Sequence, residues 1–146
     1  MNFLDSLSIS ATGLSAQRIR MNLISSNMAN VNTTRTESGE PYKRKDVIFE
    51  TIQTKPFEAI LDETVSKPNG GVEVAEIVED KNPFIQKFDP QHPDADKNGF
   101  VRLPNVNIVE EMVNMISASR SFEANATAIK ATKEMASTAL DIGRNS

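Results

Sequence analysis

A chain of 146 residues holds one ordinary domain or a small domain with appendages, and its 38% apolar and 5% aromatic content, with no Trp and one Tyr, argues against a thick globular core. With no cysteine and a single histidine, disulfide scaffolds, thiol nucleophiles, zinc fingers and iron–sulfur sites are excluded. A net charge of −4 opposes nucleic acid as a partner, because phosphate binding needs a basic excess.

The prolines set the organisation of the chain. All seven lie between Pro41 and Pro104, and four of the six glycines lie in or beside that stretch. Proline costs a helix interior about 3 kcal/mol, so this segregation predicts two long helices around an irregular middle. The divisions expected are 1–34, 35–105 and 106–146. No run of apolar residues approaches the roughly 20 of a membrane span. The start, Met1-Asn2-Phe3-Leu4-Asp5-Ser6, has no basic head or apolar run of a secretory signal.

In the first segment Leu7, Ala11, Leu14, Met21, Ile24 and Met28 recur in steps of three and four, with Gln17 or Arg18 at the missing step. That is an amphipathic helix with a near-heptad seam, expected from about Leu4 to Asn30 and roughly 40 Å long. It ends in Asn30-Val31-Asn32-Thr33-Thr34, residues that bond their own backbone in preference to continuing a helix.

The middle predicts four strands. Tyr42 to Ile52 is β-branched toward its end, and Gly71 to Val78 alternates after the turn Pro68-Asn69-Gly70-Gly71. Phe84 to Phe88 is bounded by Pro83 and Pro90, and Phe100 to Leu103 is short. The last segment steps by three and four through Val109, Met112, Ile116, Ser119, Phe122, Ala126, Ile129, Lys133, Ala136, Leu140 and Gly143. Asn105 or Asn107 can cap it, and Glu110 and Glu111 suit its first turn. From Asn107 to Ile142 it would run roughly 54 Å. The expected fold is therefore α+β and mainly α. Its long terminal helices pair as a coiled-coil-like bundle beside a small β-rich centre. Two such helices with so little aromatic mass must pair with each other, with neighbours, or both.

Each chemical motif has a plainer reading. Asp94-Ala95-Asp96-Lys97-Asn98-Gly99 matches the opening of a calcium loop, with oxygen ligands at alternate positions and glycine at the bend. The remainder departs from it: Pro104 and Asn105 stand at positions eleven and twelve, and Pro90 and Pro93 replace the entering helix. An Asx-rich turn is the better reading, and no metal ligand set is assigned. Glu110 and Glu111 face different directions on a helix, while Asp62-Glu63 and Glu79-Asp80 read as solvated turn charges. His92, in Gln91-His92-Pro93, sits in a turn-rich stretch. No catalytic residue, cofactor or small-molecule substrate is therefore assigned. Lys43-Arg44-Lys45 reads as the exposed face of a strand, or as a patch for an acidic surface. The sequon at Asn125 lies in a helix seam, and the one at Asn32 carries little weight. Small residues such as Ser117, Ala118, Ser119, Ala124 and Ala128 spread around the last helix, as expected where several helices surround it. Asn114 and Asn125 could fix register there.

Ser25-Ser26-Asn27-Met28-Ala29-Asn30-Val31-Asn32-Thr33-Thr34-Arg35-Thr36 closely resembles the N-terminal signature of the flagellar rod and hook protein family. Val109 to Ile116, followed by Ser119 to Asn125, is similar to that family's terminal helix motif. Gly39 to Lys45, and His92-Pro93-Asp94-Ala95 leading to Pro104-Asn105-Val106-Asn107, are similar to its short proximal-rod members, and the length agrees. The resemblance covers essentially the whole chain. It implies a structural subunit of the bacterial basal body, without enzymatic activity. Such a subunit is exported unfolded by the flagellar type III route, without a cleaved signal, and assembles helically in the periplasmic rod to carry torque to the hook. Implied partners are the chain itself, other rod proteins, the membrane ring and the export apparatus. The terminal helices would form the inner tube, with a seam through Leu7, Leu14, Met21, Met28, Met112, Ile116, Phe122, Ile129 and Leu140. The signature proper is Ala29, Asn30, Val31, Asn32, Thr33 and Thr34. The alternative is a soluble helical export chaperone or adaptor, stable as a monomer or dimer.

Overall fold

The computed structural model of the chain describes residues 3–52 and 70–144. Pro68, Asn69 and the Asp62-Glu63 pair lie outside the described residues. Helix α1 spans Phe3–Ala29, strands β1 and β2 span Lys45–Thr51 and Val72–Glu79, β3 and β4 span Ile85–Phe88 and Phe100–Leu103, and helix α2 spans Ile108–Arg144. Each helix lies within a few residues of its expected bounds, because the run Asn30 to Thr34 ends α1 and Pro104 to Asn107 precede α2. Of the two candidate caps, Asn107 starts α2: its Oδ1 accepts from the amides of Val109 at 3.0 Å and Glu110 at 3.5 Å. The strands form two separate two-stranded sheets, β1–β2 and β3–β4.

By internal contacts the described residues fall into two compact units, 3–18, 49–52, 70–75 and 119–144 in the first, and 19–48 and 76–118 in the second. In the first unit the two helices meet closely. A Cβ placed on Gly13 of α1 would lie 3.0 Å from Nδ2 of Asn125 on α2, so glycine is what permits the approach. Asn125 donates to the Ser121 carbonyl at 3.0 Å, which holds its amide in that place. The chain enters β2 against the same helix: Thr12 Oγ1 donates to the Ile9 carbonyl and accepts from the Val72 amide. Gly71 is buried there at φ 135°, its Cβ position 3.3 Å from both Thr12 Oγ1 and Ile52 Cδ1. Gly13→Leu is expected to lower the Tm of the purified chain by several degrees and to expose amides of residues 3–18 to hydrogen exchange, because the larger side chain has no space at Asn125.

The second unit is built around the β3–β4 hairpin. Ile85 pairs with Leu103, Gln86 with Arg102, Lys87 with Val101 and Phe88 with Phe100. Alternation puts Val101, which is buried, on the inner face, and Phe88 and Phe100 on the outer face, edge to face at 5.3 Å. The connection between these strands is a hydrogen-bonded turn. Asp96 Oδ1 accepts from the amides of Asn98 and Phe100, and Gly99 supplies the positive φ of 80°. Asp94 accepts from Thr34 Oγ1 at 2.7 Å, so the acidic side chains of this segment serve the turn and its neighbour.

Candidate functional site

In the second unit the end of α1, the segment before β1 and the start of α2 meet at a buried polar cluster. The family-like signature explains how the chain gets there. Asn30 closes α1, its amide and Nδ2 both bonding the Ser26 carbonyl. Thr33 then bonds Asn30 through its amide and its hydroxyl, and the Thr33 carbonyl accepts from the Tyr42 amide. Ala29 to Thr34 thus form a stop and a reversal that returns the chain alongside the helix it has just left.

The returning segment brings Tyr42, Arg44 and Lys45 to Asn27, which is fully buried. Asn27 Oδ1 accepts from the Lys45 amide at 3.0 Å and from Tyr42 Oη at 2.9 Å. Its Nδ2 donates to the Lys45 carbonyl at 2.8 Å and to Glu111 Oε2 at 3.1 Å. Glu111, also fully buried, accepts from Arg44 Nε at 2.7 Å through its other oxygen. Arg44 reaches Asp46 through Nη1 at 3.2 Å and Asp80 at 3.8 Å. Asn105, the candidate cap that α2 does not use, instead accepts from the Arg44 amide and donates to the carbonyl of Asn82. Burial works against the charge on the Arg44 guanidinium. Hydrogen bonding and attraction from Glu111, then Asp46, outweigh it and hold Arg44 above the ordinary arginine pKa. Arg44 therefore stays charged throughout the physiological range, and the fork of a guanidinium, unlike an ammonium, serves several carboxylates at once.

The basic run consequently splits. Lys43 is at the surface, its pKa raised by the hydrogen bond and attraction of Glu40, whereas Arg44 is turned inward with 14% of its side chain exposed. The expectation of one exposed basic face fails at Arg44, because a buried carboxylate on α2 needs a charged donor. Glu111 and Asn27 were not singled out as site residues by sequence pattern.

Glu111 also decides which way α2 faces. Glu111 and Ala118, both fully buried, point into the unit. Ile108, Val109, Met112, Val113 and Ile116 fall on the far side at i, i+1, i+4, i+5 and i+8, and all are exposed, Val109 by 65% and Ile116 by 54%. An apolar recess of about 400 Å³, lined by Val31, Ile85, Leu103, Val106 and Ile108 among others, joins that stripe at Ile108. Buried polar groups on one side and large apolar groups on the other invert what a free-standing surface helix shows.

The nine expected seam residues divide by burial. Leu7, Leu14, Met21 and Met28 on α1, and Phe122 and Ile129 on α2, are half-buried. Met112, Ile116 and Leu140 are exposed. They do not make one continuous row on α2. Among the described residues no group of three or more His, Asp or Glu is placed to hold a metal ion, and no helix is long and apolar enough to cross a membrane.

Two family models match the chain: the flagella basal body rod protein family over residues 7–35, and the flagellar basal body rod FlgEFG protein C-terminal family over residues 97–142. The curated relatives include the flagellar basal-body rod protein FlgC of Borreliella burgdorferi, 48% identical over 97% of this chain and 98% of its own. The chain belongs to the FlgC family of flagellar basal-body rod proteins. FlgC of Bacillus subtilis is 44% identical over 99% of this chain and all of its own, and FlgC of Salmonella typhimurium is 36% identical over the same shares. The first family model includes the reversal Ala29 to Thr34, and the second includes Glu111 and the whole exposed stripe.

Proposed function

We propose that this chain is a structural subunit of the flagellar rod, adding helically to copies of itself and to other rod proteins and passing motor torque toward the hook. The observation that carries this reading is the apolar stripe Ile108 to Ile116, held outward by the buried Glu111 on the opposite side of the same helix. Five large apolar side chains on one helical face need a partner, and a partner that repeats builds a filament. The seam residues on α1 and the inner row of α2 would then tie the two helices of one subunit, while Met112 and Ile116 would tie one subunit to the next. On this reading residues 1–34 and 106–146 make the inner tube and 35–105 lies outside it. Close van der Waals contact distributed along many helices is the physical basis for resisting shear.

The same reading places the protein in the periplasmic rod, between the membrane ring and the hook, after export by the flagellar type III route without a cleaved signal. Its role is structural, without turnover of a substrate. Met135, Leu140 and Ile142 are exposed near the end of α2, which is consistent with helix ends that order only on assembly. Basal bodies purified from a strain carrying only a tagged copy of this chain are expected to hold the tag in the rod under electron microscopy. Deletion of the chain is expected to leave cells without rods or hooks. Normal rods and swimming in the deletion strain would overturn the reading.

A further inference from the structure

The β3–β4 hairpin of the second unit carries two large aromatic side chains on one face and part of the wall of an apolar recess on the other. Phe88 and Phe100 stand opposite each other at the turn end of the ladder, 64% and 39% exposed, with their rings edge to face at 5.3 Å. Phe88 is also packed against the turn: a Cβ placed on Gly99 would lie 3.0 Å from its Cε2. The rings are therefore held in place without being covered, and a preorganised aromatic pair loses little side-chain freedom on contact.

Ile85 and Leu103, paired at the other end of the ladder, fall on the opposite face by alternation. With Val31, Val106 and Ile108 they line the recess of about 400 Å³. The rest of its lining, Asn32, Pro104 and Asn107, is uncharged, so an apolar group that enters strips water from no charge. An apolar cavity of about 150 Å³ already admits benzene, so this space accommodates a phenyl ring and the edge of its neighbour.

We propose that the Phe88–Phe100 pair of one subunit seats in the recess lined by Val31, Ile85 and Ile108 of a second copy of this chain. The inference rests on the rod reading above and adds to it a contact centred on the hairpin. Rings and recess lie on opposite faces of one hairpin, so the contact is heterologous. Each copy offers its rings to the next and its recess to the one before, without closing on a twofold. Area decides what else takes part. The exposed parts of the two rings amount to roughly 200 Å², against about 800 Å² per partner in a stable contact. The rings are thus the anchor, and the apolar stripe from Ile108 to Ile116, continuous with the recess, widens the contact around it.

Charge exchange tests this in flagellated cells. Phe88→Lys alone and Ile85→Glu alone are each expected to lower the number of complete rods per cell at least about tenfold, since each sets a charge at the anchor. The two together should recover it to within about threefold of wild type, because the opposite charges then meet across the contact. Positions 85 and 88 face opposite ways on one strand, so that recovery cannot arise inside a subunit. Both side chains are at least half exposed, so the variants should fold, and circular dichroism of each purified protein checks it. The chain has no cysteine, which allows a second readout with both rings left in place. A Gln86→Cys, Asn32→Cys variant sets one thiol on the face of Phe88 and one in the recess. A short thiol-reactive cross-linker applied to purified basal bodies should then give ladders of trimers and longer, absent in either single variant. Full assembly of the two single charge variants, losses that their combination does not recover, or cross-linking that stops at dimers or gives no ladder overturns the contact and leaves the rod reading standing. A wild-type chain missing from basal bodies would overturn both.

Discussion

Glu111→Ala is expected to destabilise the second unit by about 3 kcal/mol, the usual order for removing one member of a buried ion pair. The cost comes from what stays behind. Arg44, with only 14% of its side chain exposed, loses its 2.7 Å bond, and Nδ2 of Asn27 loses its acceptor on α2. Arg44 retains Asp46 at 3.2 Å and Asp80 at 3.8 Å, so the loss should fall at the lower end for such pairs. Urea denaturation followed by helix signal measures the total. Hydrogen exchange locates it, with protection lost across residues 19–48 and 76–118 and kept around Gly13 and Asn125. Replacing both partners, Arg44→Leu with Glu111→Leu, should cost less than Glu111→Ala alone, because the buried guanidinium goes together with the fully buried carboxylate and only the partly exposed Asp46 and Asp80 lose a partner. A double variant as unstable as the sum of its singles would show that the cluster acts through packing and not through charge.

That cluster has no local signature in the sequence. The helices and hairpins were legible because their signals are local: proline and glycine confined to the middle, apolar steps of three and four at both ends, and Asn30 to Thr34 as a terminator. Asn27, Arg44 and Glu111 meet across separations of 67 and 84 residues, and no local spacing marks such a meeting. Each also carries a misleading local context. Glu111 follows Glu110 in a first helical turn, where acids are ordinary companions of the helix dipole. Arg44 stands between two lysines, which read as a solvated run. Only the fold reveals that one acid of the pair and one base of the three are inside.

The expected seam residues divide between two faces of α2 for a geometric reason. A row stepping from Val109 through Met112, Ile116 and Ser119 to Phe122 makes four steps in thirteen residues, where four turns of a straight helix need about fourteen. The row therefore slips roughly 0.4 of a turn around the surface. It begins on the exposed stripe at Val109 and ends among half-buried side chains at Phe122. Apolar spacing reports that a helix has buried faces, but it does not say how many or against whom. Here the burial of Glu111 and Ala118 separates the face turned toward the chain's own second unit from the face left open.

That separation makes Ile116→Asp the sharpest probe of assembly. Ile116 is 54% exposed, so the change should move the stability of the purified chain by no more than about 0.5 kcal/mol. In a rod the same side chain would be covered, and a carboxylate without a partner would lose its water there. A penalty of about 3 kcal/mol or more corresponds to over a hundredfold in association, so incorporation into basal bodies should fall below detection while synthesis continues. Ile116→Leu keeps the apolar contact and should swim normally. Ile129→Asp is the contrasting variant: Ile129 is half-buried within the first unit, so its replacement should cost helix signal in the purified chain before any assembly is attempted. If Ile116→Asp and Ile129→Asp behave alike, both folding poorly or both assembling, then the two faces of α2 are not the separate surfaces that the burial of Glu111 makes them.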